Sequence, residues 1–291
     1  MTYPNKSQRP SAVPHRTHIT HTTHTHAALR LAVCLAVALC TAAHAGSWAE
    51  RAGKMNRTKL SAQEARRRSD EREENRRNKI AVRRIEPAME SVDWNTDPTA
   101  IPYMLYQINK RTGLPVYVDN SGLDVASDEL WEYTTIYLTS HKSWSFNEKE
   151  TRHLQHWLKR GGTLLLDDCY NRGSPFTDSV RPEAAKMIPG AEPIMLLKDD
   201  PRVEDVFRMT YETPWPGEAG RFPNKPWQYF VLDDRPAIYF SPNDDGCGWE
   251  VSTPPTASNP IGEGIGHGGD NRQRELMYQW ATNWILYAYT H

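Results

Sequence analysis

Nine residues constrain this chain most: Gly161-Gly162-Thr163-Leu164-Leu165-Leu166-Asp167-Asp168-Cys169. A helical pattern containing His153, Leu154, Trp157 and Leu158 runs into the two glycines, which stop it. A short apolar run follows and reads as a buried strand. Two carboxylates and a thiol stand at its carboxyl end. In an open α/β sheet, loops and helix N-termini converge at that end, and ligands bind there. The stretch therefore predicts an α/β fold and a site bordered by Asp167, Asp168 and Cys169.

The flanking sequence repeats the alternation. Ile80-Ala81-Val82 reads as a strand, and Ile101, Met104, Leu105 and Ile108 as a helix face ended by Thr112-Gly113. Pro115 to Val118 and the β-branched Thr134 to Thr139 are further strands. Ser145, with Glu148 three residues on, has the pattern of a capping box before the next helix. Phe176 to Met187 reads as helical and Pro193 to Leu197 as extended. Two apolar runs, 230–232 and 237–240, flank Asp233-Asp234-Arg235-Pro236 and predict a β-hairpin near the C-terminus. Segments 211–227 and 251–270 are rich in Pro and Gly and read as loops. Arg274 to Tyr289 is the closing apolar helix. Strands alternating with helices predict a mostly parallel sheet covered on both faces.

The first 78 residues read differently. Leu31 to Ala43 is apolar, Arg30 precedes it, and Ala43-His44-Ala45 is a small-x-small cleavage pattern, so residues 1–45 are expected to be a secretory signal peptide. The run is short for a membrane span, so no transmembrane span is expected in the mature chain. Neither Val33-Cys34 nor Leu39-Cys40 has the small residue that a lipoprotein signal needs. His15, His18, His21, His24 and His26 have metal-like spacing within a segment that would leave with the signal. Residues 46–78 are dense in Arg, Lys and Glu with almost no apolar face, and read as a charged linker or surface helix. The alternative for this segment is contact with an anionic wall or membrane surface. The formal net charge of −1 argues against a nucleic-acid partner. The expected localisation is exported, periplasmic or secreted.

Several motifs occur together: Thr139-Ser140-His141 at a strand end, the Gly161-Gly162 turn, Asp167-Asp168-Cys169, and Asp234 to Tyr239. Asp244-Asp245-Gly246-Cys247-Gly248-Trp249-Glu250 and Asn283-Trp284-Ile285-Leu286-Tyr287 complete the set. The combination resembles the bacterial family called domain of unknown function 4159, from about Lys79 to the C-terminus. The resemblance implies a flavodoxin-like α/β sandwich similar to the class I glutamine amidotransferases over residues 79–291. It carries no established activity, and a shared fold is not a shared chemistry.

Cys169 stands where an amidotransferase nucleophile would stand. A nucleophile on a sharp strand-to-helix turn needs small neighbours, and here they are Asp168 and Tyr170. Adjacent carboxylates also suppress the thiolate. Amidotransferase activity is therefore not expected. Export leaves Cys169 and Cys247, both after strands, and the expectation is a disulfide, with two free buried thiols as the alternative. Asp167, Asp168, Asp244 and Asp245 either cap helices and turns or hold a divalent metal, with Asp168 and Asp245 as the candidate ligands. His141 is a candidate ligand or proton carrier bordering the same crevice. The glycine-rich run around His267 reads as a flexible lid. Trp215, Trp227 and Trp249 are either sugar-stacking surfaces or loop anchors over a core.

The functional expectation is an exported, non-catalytic binding or assembly module of the cell envelope. Its crevice would be lined by His141, Asp167, Asp168, Asp245 and Trp249, with an envelope protein or saccharide as partner. The alternative is a hydrolase using the clustered Asp residues with a divalent metal.

Overall fold

A computed structural model describes residues 62–170, 174–197, 225–251 and 271–291. The expected signal peptide at residues 1–45, Trp215 and the glycine run with His267 lie outside these residues.

Helix α1, Ala62–Arg76, is charged along its length. Arg72 on it pairs with Glu129 at 2.7 Å, which ties a surface helix to the domain by an ion pair and not by an apolar stripe. Strand β1 is Ile80–Arg84, two residues longer than its apolar start suggests. The extension carries two buried arginines. Arg83 bonds Ser121 at 2.7 Å and pairs with Glu129 at 2.9 Å and with Asp119. Arg84 is engaged by backbone carbonyls described below.

Helix α2, Ala100–Thr112, ends at Gly113, which takes the left-handed φ of 73° that a helix stop favours. After the short β2, Val116–Tyr117, and a 3-10 turn at Asp128–Glu132, strand β3 is Thr135–Ser140. Helix α3 is Glu148–Lys159. Its capping box is present, but two residues later than the Ser145 pattern predicts. Asn147 accepts the Glu150 N–H at 3.0 Å, and Glu150 accepts the Asn147 N–H at 2.8 Å. Ser145 instead accepts from Lys186. Glu148 and Glu150 both follow an N-cap residue type at the right distance, and only the Asn147 pair closes reciprocally.

Strand β4 is Thr163–Asp168. The turn before it requires its glycines: Gly161 has φ 99°, and a Cβ on Gly162 would lie 2.3 Å from the Trp157 ring. Helix α4, Pro175–Met187, has Ser174 as N-cap and Pro175 in its first turn. Strands β5, Ile194–Met195, β6, Gln228–Leu232, and β7, Arg235–Ser241, follow. β6 and β7 pair antiparallel across Asp233 and Asp234, both at positive φ. A five-residue helix α5, Asp245–Trp249, and the long α6, Asn271–Thr290, complete the described elements.

The seven strands form one sheet in the order β2-β1-β3-β4-β7-β6-β5. β2, β1, β3, β4 and β7 run parallel, and β6 and β5 add an antiparallel edge. The fold is thus α/β with a mostly parallel, mixed sheet. Side chains alternate along each strand and supply two cores. On one face α3 and α4 bring Leu154, Trp157, Phe176 and Val180 onto Ile136, Leu138, Leu164 and Ile238. On the other, α2 and α6 bring Ile101, Met104, Trp280 and Trp284 onto Val82, Tyr137, Leu165 and Tyr239. Among the described residues no helix is long and apolar enough to cross a membrane.

Candidate functional site

The last two residues of β4 point to opposite faces. Asp168 faces α4 and is fully buried. It accepts the Tyr170 N–H at 3.0 Å, the Ser174 hydroxyl at 2.7 Å and the Thr177 hydroxyl at 2.5 Å. These bonds fasten the start of α4, where the helix dipole also favours a negative charge. Asp167 faces the second core. It accepts the N–H groups of Asp245 at 3.0 Å and Gly246 at 2.8 Å, and the Tyr137 hydroxyl at 2.8 Å. Burial pushes its carboxyl up to about 7, against the opposing pull of the Gly246 and Asp245 amides and Tyr137. The sequence leaves both aspartates open as caps or crevice groups, with Asp168 as the candidate metal ligand. In the structure the carboxylate with the bonds of a cap to the long helix is Asp168.

Beyond Asp167 lies a buried cluster that joins three distant segments. Asp97 comes from the loop into α2, Cys169 from the end of β4, and Asp244 and Cys247 from the start of α5. One ligand atom from each of these four side chains lies within 4.8 Å of every other. The Cys169 thiol donates to Asp97 Oδ2 at 3.3 Å and the Cys247 thiol to Asp97 Oδ1 at 3.4 Å. The two sulfurs are 3.9 Å apart. Both cysteines are free and buried. The disulfide expected from their placement is therefore not formed in this structure, since a bond needs about 2.05 Å. Asp244 holds a left-handed φ of 57°. Gly246 must be glycine: a Cβ there would meet Asp97 Oδ2 and the Tyr137 hydroxyl, each at 2.6 Å.

Arg84 supports this arrangement from β1. Its guanidinium donates to the Trp94 carbonyl at 3.3 Å and to the Asp97 carbonyl, and lies 5.7 Å from the centre of the Tyr137 ring. It fixes the Asp97 loop and sets a positive charge beside the acids. Burial, and then the neighbouring Glu250, raise Asp97, while Arg84 opposes them. For Cys169 the contact with the Cys247 thiol favours the thiolate, but burial with Asp97, Asp244 and Asp167 outweighs it and pushes the thiol up to about 12. The bond to Cys169 and burial raise Cys247. Burial, then Asp167, raise Asp245 well above the carboxylate range. The cluster is chemically a proton store or a cation site: its acids and thiols favour their neutral forms unless a positive ion joins them.

The remaining sequence candidates fall around this centre. Asp245 is buried and accepts the Ser241 hydroxyl at 2.5 Å. His141 stays at the rim, with its side chain 41% exposed and Nδ1 2.9 Å from Asp93 Oδ2. Thr96 links the two zones, its hydroxyl 3.4 Å from His141 Nδ1 and 3.7 Å from Cys169 Sγ. Trp249 and Trp227 are fully buried in the second core, with the Trp249 ring 6.1 Å from that of Tyr137. Trp249 therefore anchors the interior of the domain and presents no face for a sugar to stack on. The structure thus brings Cys169 and Cys247 together, sets Asp167 and Asp245 beside them, and places Asp168 on the other face. Sequence reasoning missed Asp97, Asp93, Thr96 and Arg84. Asp93, Thr96 and Asp97 lie in a segment that alternates in no period, where the available signal was the Asp97-Pro98 pair at a helix entry.

No curated protein matches the chain. The family described as Domain of unknown function (DUF4159) matches residues 82–289, and the chain belongs to it.

Proposed function

We propose that this member of the DUF4159 family is an exported, non-catalytic binding or assembly module of the cell envelope, on a flavodoxin-like sheet akin to that of class I glutamine amidotransferases. The order of the five parallel strands supports the fold reading, because it follows the flavodoxin-like pattern with a switch point between β1 and β3. The β6–β7 pair then corresponds to the hairpin near the C-terminus.

One observation carries the non-catalytic reading. Cys169, at the nucleophile position, is buried, donates to Asp97 and has its thiol held up to about 12. A nucleophilic cysteine needs the opposite environment, exposed and electropositive. Hydrolysis through Asp167, Asp168 and Asp245 is the weaker reading, since all three are buried and bonded to neighbouring helices or hydroxyls. The binding crevice is instead the rim between β1 and β3, where Asp93 and His141 meet solvent, and its partner is an envelope protein or saccharide.

Two measurements test this. Glutaminase and esterase assays on the mature chain should show no turnover; turnover that disappears in Cys169→Ala overturns the non-catalytic reading. Cell fractionation with N-terminal sequencing should find a chain starting at Gly46 outside the cytoplasm, and an intact Met1 in the cytosol overturns export.

A further inference from the structure

We propose that Asp97, Cys169, Asp244 and Cys247 are the four ligands of a closed structural site for a zinc-class divalent cation. Geometry is the first support. Tetrahedral zinc with bonds of about 2.3 Å to sulfur sets two thiolates about 3.8 Å apart, and with bonds of about 2.1 Å to oxygen sets sulfur and oxygen about 3.6 Å apart. The sulfurs here are 3.9 Å apart, and the Asp97 carboxylate faces both, with Oδ2 3.3 Å from Cys169 Sγ and Oδ1 3.4 Å from Cys247 Sγ. All four ligand atoms fall within 4.8 Å of one another, and closing on one ion would draw the widest pairs in to those edge lengths.

Donor chemistry is the second support. Magnesium and calcium take six or more oxygens, often with water among them. Two sulfurs with two carboxylates do not fit that demand. Thiolates select zinc or monovalent copper, and zinc is the one that also takes carboxylate oxygen in a four-coordinate site. All four residues are buried. Four protein ligands without a water position make a structural centre, not a catalytic one.

The surroundings serve as an outer shell. Arg84 holds the Asp97 carbonyl, and the missing side chain of Gly246 leaves room for Asp97 Oδ2. Loading releases the two thiol protons to solvent as the sulfurs bind as thiolates, so affinity falls as pH falls. The site is independent of the binding-module reading: the domain can carry it whether or not the rim recognises an envelope partner.

The test uses the full mature chain, stripped with a chelator and titrated with zinc or cobalt. The expected results are about one zinc per chain, and a cobalt form with tetrahedral visible bands and a thiolate-to-cobalt charge-transfer band. Zinc should also shield both cysteines from alkylation in the native protein. Cys247→Ser and Asp97→Asn should weaken binding by about tenfold or more, and Asp168→Asn should leave it unchanged. Removal of a buried ligand can unfold the chain, so the wild-type cobalt spectrum is decisive. Cobalt binding without charge transfer overturns the proposal. So does a Cys169–Cys247 disulfide in the exported protein that leaves zinc unbound.

Discussion

Asp167 and Asp168 are neighbours in sequence and lie on opposite faces of one strand. On the α4 face, Asp168 meets hydroxyls and amides at the start of a helix. On the α2–α6 face, Asp167 shares a pocket with Asp97, Asp244, Asp245 and two thiols. Both carboxylates bond to a helix start, so hydrogen bonding does not separate them. The difference lies in what stands behind the bonds: apolar core in one case, a crowd of ionisable groups in the other. A carboxylate's role is decided by its second neighbours as much as by its partners.

The largest effect should come from removing the cation of the crowded face. Arg84→Leu deletes its bonds to two carbonyls and leaves the acids uncompensated. It should cost about 3–5 kcal/mol in urea unfolding, the scale of two buried carbonyls left without their donor. A loss near zero would mean that the acids are already neutral without Arg84.

The two aspartates should then diverge. Asp168→Ala strips three donors of a buried acceptor and should cost about 2–3 kcal/mol. Asp167→Asn keeps an acceptor for Gly246 and replaces an acid already half protonated near neutrality, so it should cost about 1 kcal/mol or less. Equal losses would break the comparison.

The pH dependence sharpens it. The Asp167 carboxyl is raised in the folded state, from an ordinary 3.8 to about 7. Between these values the folded chain holds a proton that the unfolded chain has lost. Stability from this group is present at low pH and declines as pH rises through that window, by up to about 1.4 kcal/mol per pH unit. Denaturation of chelator-treated protein from pH 5 to 7.5 should show the decline, and Asp167→Asn should flatten it.

The smallest effect belongs to the rim. Burial alone would raise Asp93, but the bonds from Ser140 and His141 outweigh it and hold the carboxyl below its ordinary value. Its contribution is present at neutral pH and is lost as pH falls below the carboxylate range. Solvent screens this exposed pair, so Asp93→Asn should cost about 0.5 kcal/mol at pH 7 and less in acid, measured by thermal melts at both.

The sheet was readable because its strands are apolar runs closed by glycines, as at Gly161-Gly162 before Leu164-Leu165-Leu166. β1 was cut short in the reading because Arg83 and Arg84 look like a surface pair; each is buried by partners that only the folded chain assembles, Asp119 and Glu129 for one and the Trp94 and Asp97 carbonyls for the other. The site was half legible. Cys169, Asp244 and Cys247 carry motifs, whereas Asp97 lies in a patternless loop and enters the cluster only when that loop folds over the strand ends. For Trp249 the sequence leaves sugar stacking and a loop anchor over a core open, and α5 turns it inward onto Tyr137.

The contacts of Asp97 span 72 residues to Cys169 and 150 to Cys247. Closures that long come late in folding, because chain entropy is spent before the contact returns anything. The cluster is therefore expected to work as a latch and not as a nucleus. Groups that meet only after the transition state govern how fast a native chain opens, not how fast it forms. A cation gripping all three segments should lengthen the lifetime of the folded domain while leaving its refolding rate nearly untouched. Wherever cleavage outpaces reclosing, a slow rate of opening is itself protection against proteolysis.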